Sequence, residues 1–320
     1  MALRLGTRGS ALAVAQATLV RERLVELGEE VELFTITTSG DERHGGSAPP
    51  RTVDDKSRFV KEIEEALLSD RIDLAVHSAK DVPSVLPEGL AIVGVPVRAD
   101  ARDSLCLGKA DGSTPDGAPG ALEALGEGAA VGTASLRRRA QLQAVRPDLD
   151  VRELRGNVDT RLRRLAEGEV DALVLASAGL ERLDRDEGVA IPEELMTPAP
   201  GQGCLALEAR ADDRRAGELA GLLTDGAALT ALTAERALVT AIGATCRTPV
   251  GAHARLEQGV LRLDSFAGVP DGSRWIRDSL GGGPDDPAGL GAAAGERLLA
   301  AGARELLDAA ERWSPASAPR

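Results

Sequence analysis

Apolar residues in the first hundred positions alternate between short strand-like runs and longer runs with helical spacing. They predict strands and helices in the chain segments 3–6, 11–27, 31–38, 57–68, 72–77 and 90–95. Alternation of this kind is typical of a parallel α/β sheet. The segment 40–55 is rich in glycine, proline and polar residues and predicts a mobile loop that acts as a lid.

A second α/β lobe is predicted after the Gly-, Pro- and Ala-rich segment 108–128. Strand and helix patterns resume at 130–133, 136–145, 151–154, 158–166 and 172–176. The start of this lobe, Val131-Gly132-Thr133, echoes Leu5-Gly6-Thr7 at the start of the first. We therefore expect two lobes of similar structure.

The last third of the chain has a different order of elements. The Pro- and Gly-rich segment 198–203 is predicted to cross between lobes and to lead into a strand at 204–209. An alanine-rich helix at 226–242 precedes strands at 250–256, 260–267 and 275–280 and a helix at 289–310. Grouped strands flanked by helices favour a small α+β domain. The tail 314–320 contains two prolines and is predicted to be disordered.

Composition is that of a globular protein of two or three domains. The chain has 320 residues, of which 43% are hydrophobic and 28% charged. No apolar run approaches the roughly 20 residues that span a bilayer, so we expect a cytoplasmic protein without membrane association. Three cysteines without a C-x-x-C pair and three scattered histidines indicate neither a disulfide framework nor a metal site.

Positive charge is concentrated in one segment of an acidic chain. Residues 131–165 contain nine arginines and four acids, a net charge of +5, whereas the whole chain carries −13 and the remainder therefore −18. Such a segment suits a bound carboxylate or phosphate, because the surrounding negative charge repels nonspecific polyanions. With 2% aromatic residues and no tyrosine, the chain has few platforms for stacking bases, so no nucleic-acid partner is expected.

Two of these arginines occupy an unusual position. Arg137 and Arg138 fall in the first turn of the predicted helix 136–145, where a cation opposes the helix dipole at a cost of roughly 0.3–1 kcal/mol each. Free backbone N–H groups and arginine together suit an anion. The alternative, solvated helix surface, fits Arg163 and Arg164 and also applies to Arg139 and Arg146.

Polar residues also collect where the predicted strands end. Ligands of open parallel sheets bind beyond the carboxyl ends of the strands, so we expect one cleft between the lobes to gather these residues. They are Thr7, Arg8, Ser10, Ser78, Lys80, Asp81, Thr133, Ser135, Arg137, Arg138, Arg155 and Arg161.

Asp81 and Cys246 are the candidate reactive groups. Asp81 is the only carboxylate among those predicted strand-end residues, and there it can stabilise a transient cation and relay protons. The alternative for Asp81 is turn formation before Pro83. Cys246 lies in a polar turn beside Arg247, which favours attachment of a group; the alternative is buried packing.

Six motifs together resemble the porphobilinogen deaminase family over nearly the whole chain. No single motif is decisive, but their joint order and spacing are specific. They are Thr7-Arg8-Gly9-Ser10, His77-Ser78-Ala79-Lys80-Asp81-Val82-Pro83, Val131-Gly132-Thr133-Ala134-Ser135-Leu136-Arg137-Arg138, Leu154-Arg155-Gly156-Asn157-Val158-Asp159-Thr160-Arg161, Pro200-Gly201-Gln202-Gly203 and the Cys246 loop.

The resemblance implies a fold of two periplasmic-binding-protein-like α/β lobes plus a small C-terminal α+β domain. It implies domain 1 at 1–98 with 200–222, domain 2 at 103–197 and domain 3 at 226–313. It also implies a monomeric transferase of tetrapyrrole biosynthesis that condenses four porphobilinogen molecules, with loss of ammonia, onto a dipyrromethane cofactor. A thioether to Cys246 would hold that cofactor, and hydrolysis would release the linear tetrapyrrole.

The resemblance further implies roles for individual residues. Asp81 would bind pyrrole nitrogens and stabilise the azafulvenium formed as ammonia leaves. The cofactor carboxylates would be held by Ser78, Lys80, Thr133, Ser135, Arg137 and Arg138. Substrate or the growing chain would be bound by Arg8, Ser10, Gln16, Phe59, Arg155, Arg161, Arg182 and Gln202.

Two other classes of protein remain open from the residues. A two-lobed small-anion binding protein without catalysis explains the arginines but gives Cys246 no task. A nucleotide- or phosphate-dependent enzyme is the second alternative, although the chain has neither a Gly-x-x-x-x-Gly-Lys loop nor a dinucleotide fingerprint.

Overall fold

The computed structural model describes residues 1–37, 57–108, 117–245 and 248–313. These residues form two compact units, Met1–Ala99 with Gly203–Leu232, and Asp100–Gln202 with Thr233–Arg320. The predictions for the lid segment 40–55, Cys246, the side chain of Phe59 and the tail 314–320 lie outside the described residues. The three-domain boundaries stay a prediction.

The elements alternate through both lobes and then group at the C-terminus. The strands are β1 Leu3–Arg8, β2 Val31–Ile36, β3 Leu74–Ser78, β4 Leu90–Gly94, β5 Asp103–Leu107, β6 Ala130–Gly132, β7 Asp150–Arg152, β8 Ala172–Ala176, β9 Val189–Ala190, β10 Leu205–Arg210, β11 Val250–Glu257, β12 Val260–Gly268 and β13 Trp275–Gly282. The helices are α1 Ala11–Glu26, α2 Ser57–Leu68, α3 Gly117–Ala124, α4 Leu136–Val145, α5 Val158–Ala166, α6 Ser177–Glu181, α7 Arg214–Leu223, α8 Gly226–Ile242, α9 Pro287–Ala300 and α10 Ala303–Arg312.

Each lobe contains a five-stranded sheet, and the two sheets have equivalent strand orders. They are β2-β1-β3-β10-β4 in the first unit and β7-β6-β8-β5-β9 in the second. The expectation of purely parallel sheets is wrong at one strand in each lobe, because β10 runs antiparallel to β3 and β4, and β5 to β8 and β9. In each sheet the antiparallel strand arrives at a crossing of the chain from the other lobe. The two-lobed α/β fold class is confirmed.

The similar sequences Leu5-Gly6-Thr7 and Val131-Gly132-Thr133 lie at equivalent positions of the two lobes. The strands β1 and β6 both lie second in their sheets, and a serine caps the helix that follows each of them. A Cβ on Gly6 would lie 2.3 Å from Ile72 Cδ1, and one on Gly132 would lie 2.7 Å from Leu173 Cδ2. Glycine at these positions therefore lets a buried side chain pack directly on the strand.

A small α+β domain follows the two lobes, as predicted. Its antiparallel sheet has the order β11-β12-β13, and the helices α9 and α10 contact it. The single helix expected at 289–310 is two helices, because Gly302 adopts φ +98° and ends the first of them. In the described part of the chain, no helix is long and apolar enough to cross a bilayer.

The contact between β4 and α7 gives a test of packing in the first unit. A Cβ on Gly94 would lie 2.7 Å from the Ala220 carbonyl oxygen, and backbone cannot yield as a side-chain end can. We expect Gly94→Ala to lower the free energy of unfolding by about 1–3 kcal/mol in a denaturant titration.

Gly217→Ala, in the helix α7 that packs against Gly94, provides the matched control. A Cβ at Gly217 meets no described atom within 4 Å, so we expect a gain of about 1 kcal/mol from helix propensity. Equal effects of the two substitutions would contradict the close approach of β4 and α7.

Candidate active site

The first unit brings five predicted site residues to one edge of its sheet. The strands β1 and β3 are parallel neighbours, so their carboxyl ends meet. Arg8 ends β1 and Ser10 follows it, where Ser10 caps α1 by accepting a hydrogen bond from the Ala13 N–H at 3.3 Å. Ser78 ends β3, and Lys80 and Asp81 follow it. This edge of the first unit therefore combines cations, hydroxyl groups and one carboxylate.

The turn that carries Lys80 and Asp81 is fixed by the returning strand. Residues Ala79–Asp81 form one 3₁₀ turn, and the Ala79 N–H donates to the Cys204 carbonyl at 3.0 Å. Lys80 and Asp81 are half-buried. The hydrogen bond to Cys204, which directly precedes β10, thus fixes the backbone from which the Lys80 and Asp81 side chains extend.

Two other predicted residues of the first unit lie further inside it. The Thr7 side chain is fully buried and donates to the Ala13 carbonyl at 3.1 Å, while Gln16 on α1 is 4% exposed. Thr7 therefore holds the start of α1 in place. The predicted substrate contact of Gln16 stays a prediction.

In the second unit the equivalent edge carries most of the predicted cations. The strands β6, β7 and β8 are parallel, and each is followed by a polar segment. Thr133 and Ser135 follow β6, and Ser135 caps α4 by accepting from the Arg138 N–H at 3.4 Å. Arg155 follows β7, and Arg182 ends α6 after β8.

Most arginines of the basic segment are neutralised by carboxylates close in sequence. Five of the nine pair in this way. Arg163 is exposed, as the surface interpretation expects, whereas Arg146 and Arg164 are half-buried. The predicted substrate contact of Arg155 stays a prediction. The pairs are Arg146–Asp148, Arg152–Asp150, Arg155–Glu153, Arg163–Glu167 and Arg164–Glu169. Arg139 instead stacks on the ring of Trp313, with its Cζ 4.7 Å from the centroid.

Arg137 and Arg138 behave differently, because both are buried and share one carboxylate. Their exposed fractions are 4% and 6%, and Asp103 between them is fully buried. Arg137 Nη1 lies 2.8 Å from Asp103 Oδ2, and Arg138 Nε donates to Asp103 Oδ1 at 2.8 Å. The guanidiniums also donate to the carbonyls of Thr197 and Val174.

Asp103 corrects the expectation that Asp81 is the only carboxylate among these cations. Burial raises the pKa of Asp103, but the charges of Arg137 and Arg138 outweigh it and hold that pKa well below its usual range. Gln202 completes the cluster, since its amide donates to Asp103 at 3.0 Å and to the Ala101 carbonyl at 2.7 Å. The predicted contact of Gln202 with substrate stays a prediction.

Arg161 adds positive charge that Asp103 does not balance. Its Nε donates to the Gly156 carbonyl at 2.8 Å. Burial lowers the pKa of Arg161 to about 10, and repulsion from Arg138 and Arg155 adds to that shift. Arg137 and Arg138 therefore share the one carboxylate of Asp103, and Arg161 is close enough to Arg138 to be repelled by its charge. Such a group is stabilised by a bound anion.

The ends of the Cys246 loop are joined by one side chain. The Thr248 hydroxyl accepts from the Thr245 N–H at 2.9 Å and donates to the Thr245 carbonyl at 2.7 Å. Cys246 itself lies outside the described residues. Among the described residues, no group of three or more His, Cys, Asp or Glu side chains is arranged to hold a metal ion.

The two α/β lobes and the buried guanidinium pair of the second unit define a two-lobed α/β protein of the periplasmic-binding-protein-like class. Sequence profiles identify the family: "Porphobilinogen deaminase, dipyromethane cofactor binding domain" matches residues 3–218, and "Porphobilinogen deaminase, C-terminal domain" matches residues 229–300. The chain belongs to the porphobilinogen deaminase family, as its motifs predicted.

Curated relatives agree with that assignment. The porphobilinogen deaminase of a Roseiflexus species is 48% identical over 311 residues, which cover 95% of this chain and 97% of the relative. That of Thermus thermophilus is 48% identical over 308 residues, with 94% and 97% covered. Among solved structures, an ancestral cationic amino acid solute binding protein matches 69% of this chain and 88% of its own at 17% identity, with a TM-score of 0.43.

Replacing Asp103 tests the shared ion pair. We expect Asp103→Asn to lower the free energy of unfolding by about 3–5 kcal/mol at pH 7, because it leaves two buried guanidiniums without a counter-charge. A carboxyl with a depressed folded pKa stabilises the protein above its unfolded value of about 3.9. The difference between wild type and variant should therefore persist at neutral pH and shrink as the pH falls through the folded pKa.

Asp150→Asn is the control, since its pair with Arg152 is about half exposed on both sides. An exposed pair contributes about 0–1 kcal/mol. Denaturant titrations across pH compare the two variants. A small and pH-independent effect at Asp103 would contradict the proposed electrostatics.

Proposed function

We propose that this protein is a hydroxymethylbilane synthase, a transferase that condenses four porphobilinogen molecules head to tail and hydrolyses the linear tetrapyrrole from its primer. Membership of the family supports the reaction. The buried arginines of the second unit are independent support for a substrate that carries carboxylates. Each pyrrole ring of the substrate carries two carboxylates, and Arg137 and Arg138 share the one carboxylate of Asp103.

The cofactor implied by the family is a dipyrromethane joined by a thioether to Cys246. When bound, it would supply the nucleophilic pyrrole carbon to which the first ring is added, and each later ring would add to the last ring of the growing chain. Its carboxylates fit the described donors, because guanidinium, ammonium and hydroxyl groups form charge-assisted hydrogen bonds with carboxylates. The proposed donors are Ser78, Lys80, Thr133, Ser135, Arg137 and Arg138.

Asp81 is the proposed catalytic residue. A half-buried carboxylate at the end of β3 can accept hydrogen bonds from pyrrole N–H groups and stabilise the cation that forms as ammonia leaves the substrate. Lys80 beside it supplies positive charge for the cofactor carboxylates. The local 3₁₀ turn keeps the two side chains on one short rigid segment.

The remaining proposed residues bind incoming substrate and the growing chain. Arg161 is the strongest of these candidates, because its desolvated charge gains most from an anion. The full set is Arg8, Ser10, Gln16, Phe59, Arg155, Arg161, Arg182 and Gln202. We further propose that the protein acts as a cytoplasmic monomer without nucleic-acid or membrane partners.

The covalent cofactor can be tested by intact mass. We expect protein purified from cells that make porphobilinogen to carry the mass of two linked pyrrole units, located on the peptide that contains Cys246. Cys106→Ser is the control, since Cys106 is 1% exposed in β5 and should leave the added mass in place. An unmodified Cys246 thiol in active protein would contradict the covalent cofactor. An unmodified thiol together with no turnover of porphobilinogen would favour a non-catalytic anion-binding protein.

The role of Asp81 can be tested by kinetics. We expect Asp81→Asn to fold and to retain the cofactor mass, while kcat falls by about a hundredfold or more, because the amide cannot neutralise a developing cation. Glu88→Gln, an exposed acid seven residues further along, should keep the wild-type rate. Wild-type turnover in Asp81→Asn would remove this residue from the reaction.

A further inference from the structure

A chain of buried polar groups runs through the second unit from the C-terminal sheet to the start of α4. Gln141, Thr197, Arg137 and Asp103 are each at most 4% exposed. Buried polar groups need partners, so a hydrogen-bonded chain of this kind fixes the side-chain conformations of its members.

The main chain of Thr197 is the centre of this polar chain. Its carbonyl accepts from Arg137 Nη1 at 2.7 Å and from Gln141 Nε2 at 3.0 Å. Its N–H donates to Gln141 Oε1 at 2.8 Å. The side-chain amide of Gln141 therefore binds both the carbonyl and the N–H of Thr197, and so fixes the carbonyl that accepts from Arg137.

Arg277 of β13 joins the C-terminal domain to this centre. Its Nη2 donates to Gln141 Oε1 at 3.2 Å and to the Leu195 carbonyl at 2.7 Å, and its Nη1 donates to the Glu194 carbonyl. Burial lowers the pKa of Arg277. A cation that is costly to bury therefore binds both Gln141 and the segment that leads to Thr197.

An independent contact places the same hairpin on α4. Gly272, at the turn between β12 and β13, has φ +71°, and a Cβ there would lie 2.4 Å from the Gln143 carbonyl carbon. The β12–β13 hairpin thus approaches the backbone of α4 so closely that only glycine fits at this position. This contact fixes the backbone of β13, which carries Arg277, relative to α4, which carries Gln141.

We propose that Arg277 is a positioning residue for cofactor binding: through Gln141 and Thr197 it fixes the guanidinium of Arg137. The inference rests on the proposed function, in which Arg137 holds a cofactor carboxylate. The domain that supplies the attachment cysteine thereby also sets the geometry of a group that binds the attached molecule. Displacement of the Arg137 guanidinium would slow the capture of the cofactor while the protein still folds.

The rate at which cofactor-free, full-length protein becomes modified tests this proposal. Wild type and Arg277→Met are mixed with porphobilinogen, and intact mass follows the gain of two pyrrole units with time. We expect Arg277→Met to load about tenfold more slowly, because misplacing a binding group by a fraction of an ångström has effects of this size. Arg277→Lys, which keeps the charge but not the forked geometry, should load at an intermediate rate and preserve folding.

Two comparisons separate positioning from general stability. Arg297→Met removes an exposed arginine that binds Asp278, the neighbour of Arg277 in β13, and should load at the wild-type rate. In an Arg137→Met background, Arg277→Met should cause no further slowing, because the residue through which it acts is gone. Amide exchange at Thr197 should accelerate in Arg277→Met and remain unchanged in Arg297→Met.

The outcomes distinguish the two proposals. If the wild-type protein gained no mass at Cys246, the proposed function would fail and this inference with it. If the wild type loaded normally and Arg277→Met loaded equally fast, only the positioning role would be overturned. Additive slowing in the Arg137→Met background would likewise overturn it, since the two residues would then act separately.

Discussion

In the second unit the two buried guanidiniums of Arg137 and Arg138 share the single carboxylate of Asp103, and the structure around them depends on this shared ion pair. Asp103 neutralises one charge between Arg137 and Arg138, and Arg161 adds another cation whose pKa is lowered. Burying cations without counter-charge destabilises a protein, so the arrangement is favourable when an anion completes it.

Rigidity of the arginine pair comes from the fold around it, since each guanidinium donates to a main-chain carbonyl as well as to Asp103. The carbonyl that receives Arg137 belongs to the segment leaving the second lobe, where Gln141 and Arg277 also bind. Glu235 extends the same support, because its buried carboxylate accepts from the N–H groups of Gly201 and Ala254. The C-terminal strands therefore support the segment that holds Arg137.

Local patterns in the sequence predicted most elements, because helix and strand periodicity is a short-range property. The helices α2, α4, α5 and α8 begin and end where the sequence placed them. Sheet order was less accessible, since β5 and β10 join their sheets through crossings that local spacing does not encode. Asp103 was missed for the same reason, although a carboxylate at the start of the apolar run Ser104-Leu105-Cys106-Leu107 was an available signal. The five arginine–carboxylate pairs depend on side-chain conformations, which sequence spacing alone does not determine.

Asp103 also explains why the proposed catalytic carboxylate belongs on the other unit. A carboxylate placed among these guanidiniums is bound by both, and its pKa is driven far below neutrality, so it cannot exchange protons or turn towards a reacting ring. Asp81 follows β3 of the first unit, on a short turn that the Cys204 carbonyl holds through the main chain. Asp81 therefore differs from Asp103 in its surroundings, since Asp103 is fully buried between two guanidiniums whereas Asp81 is half-buried on a short turn.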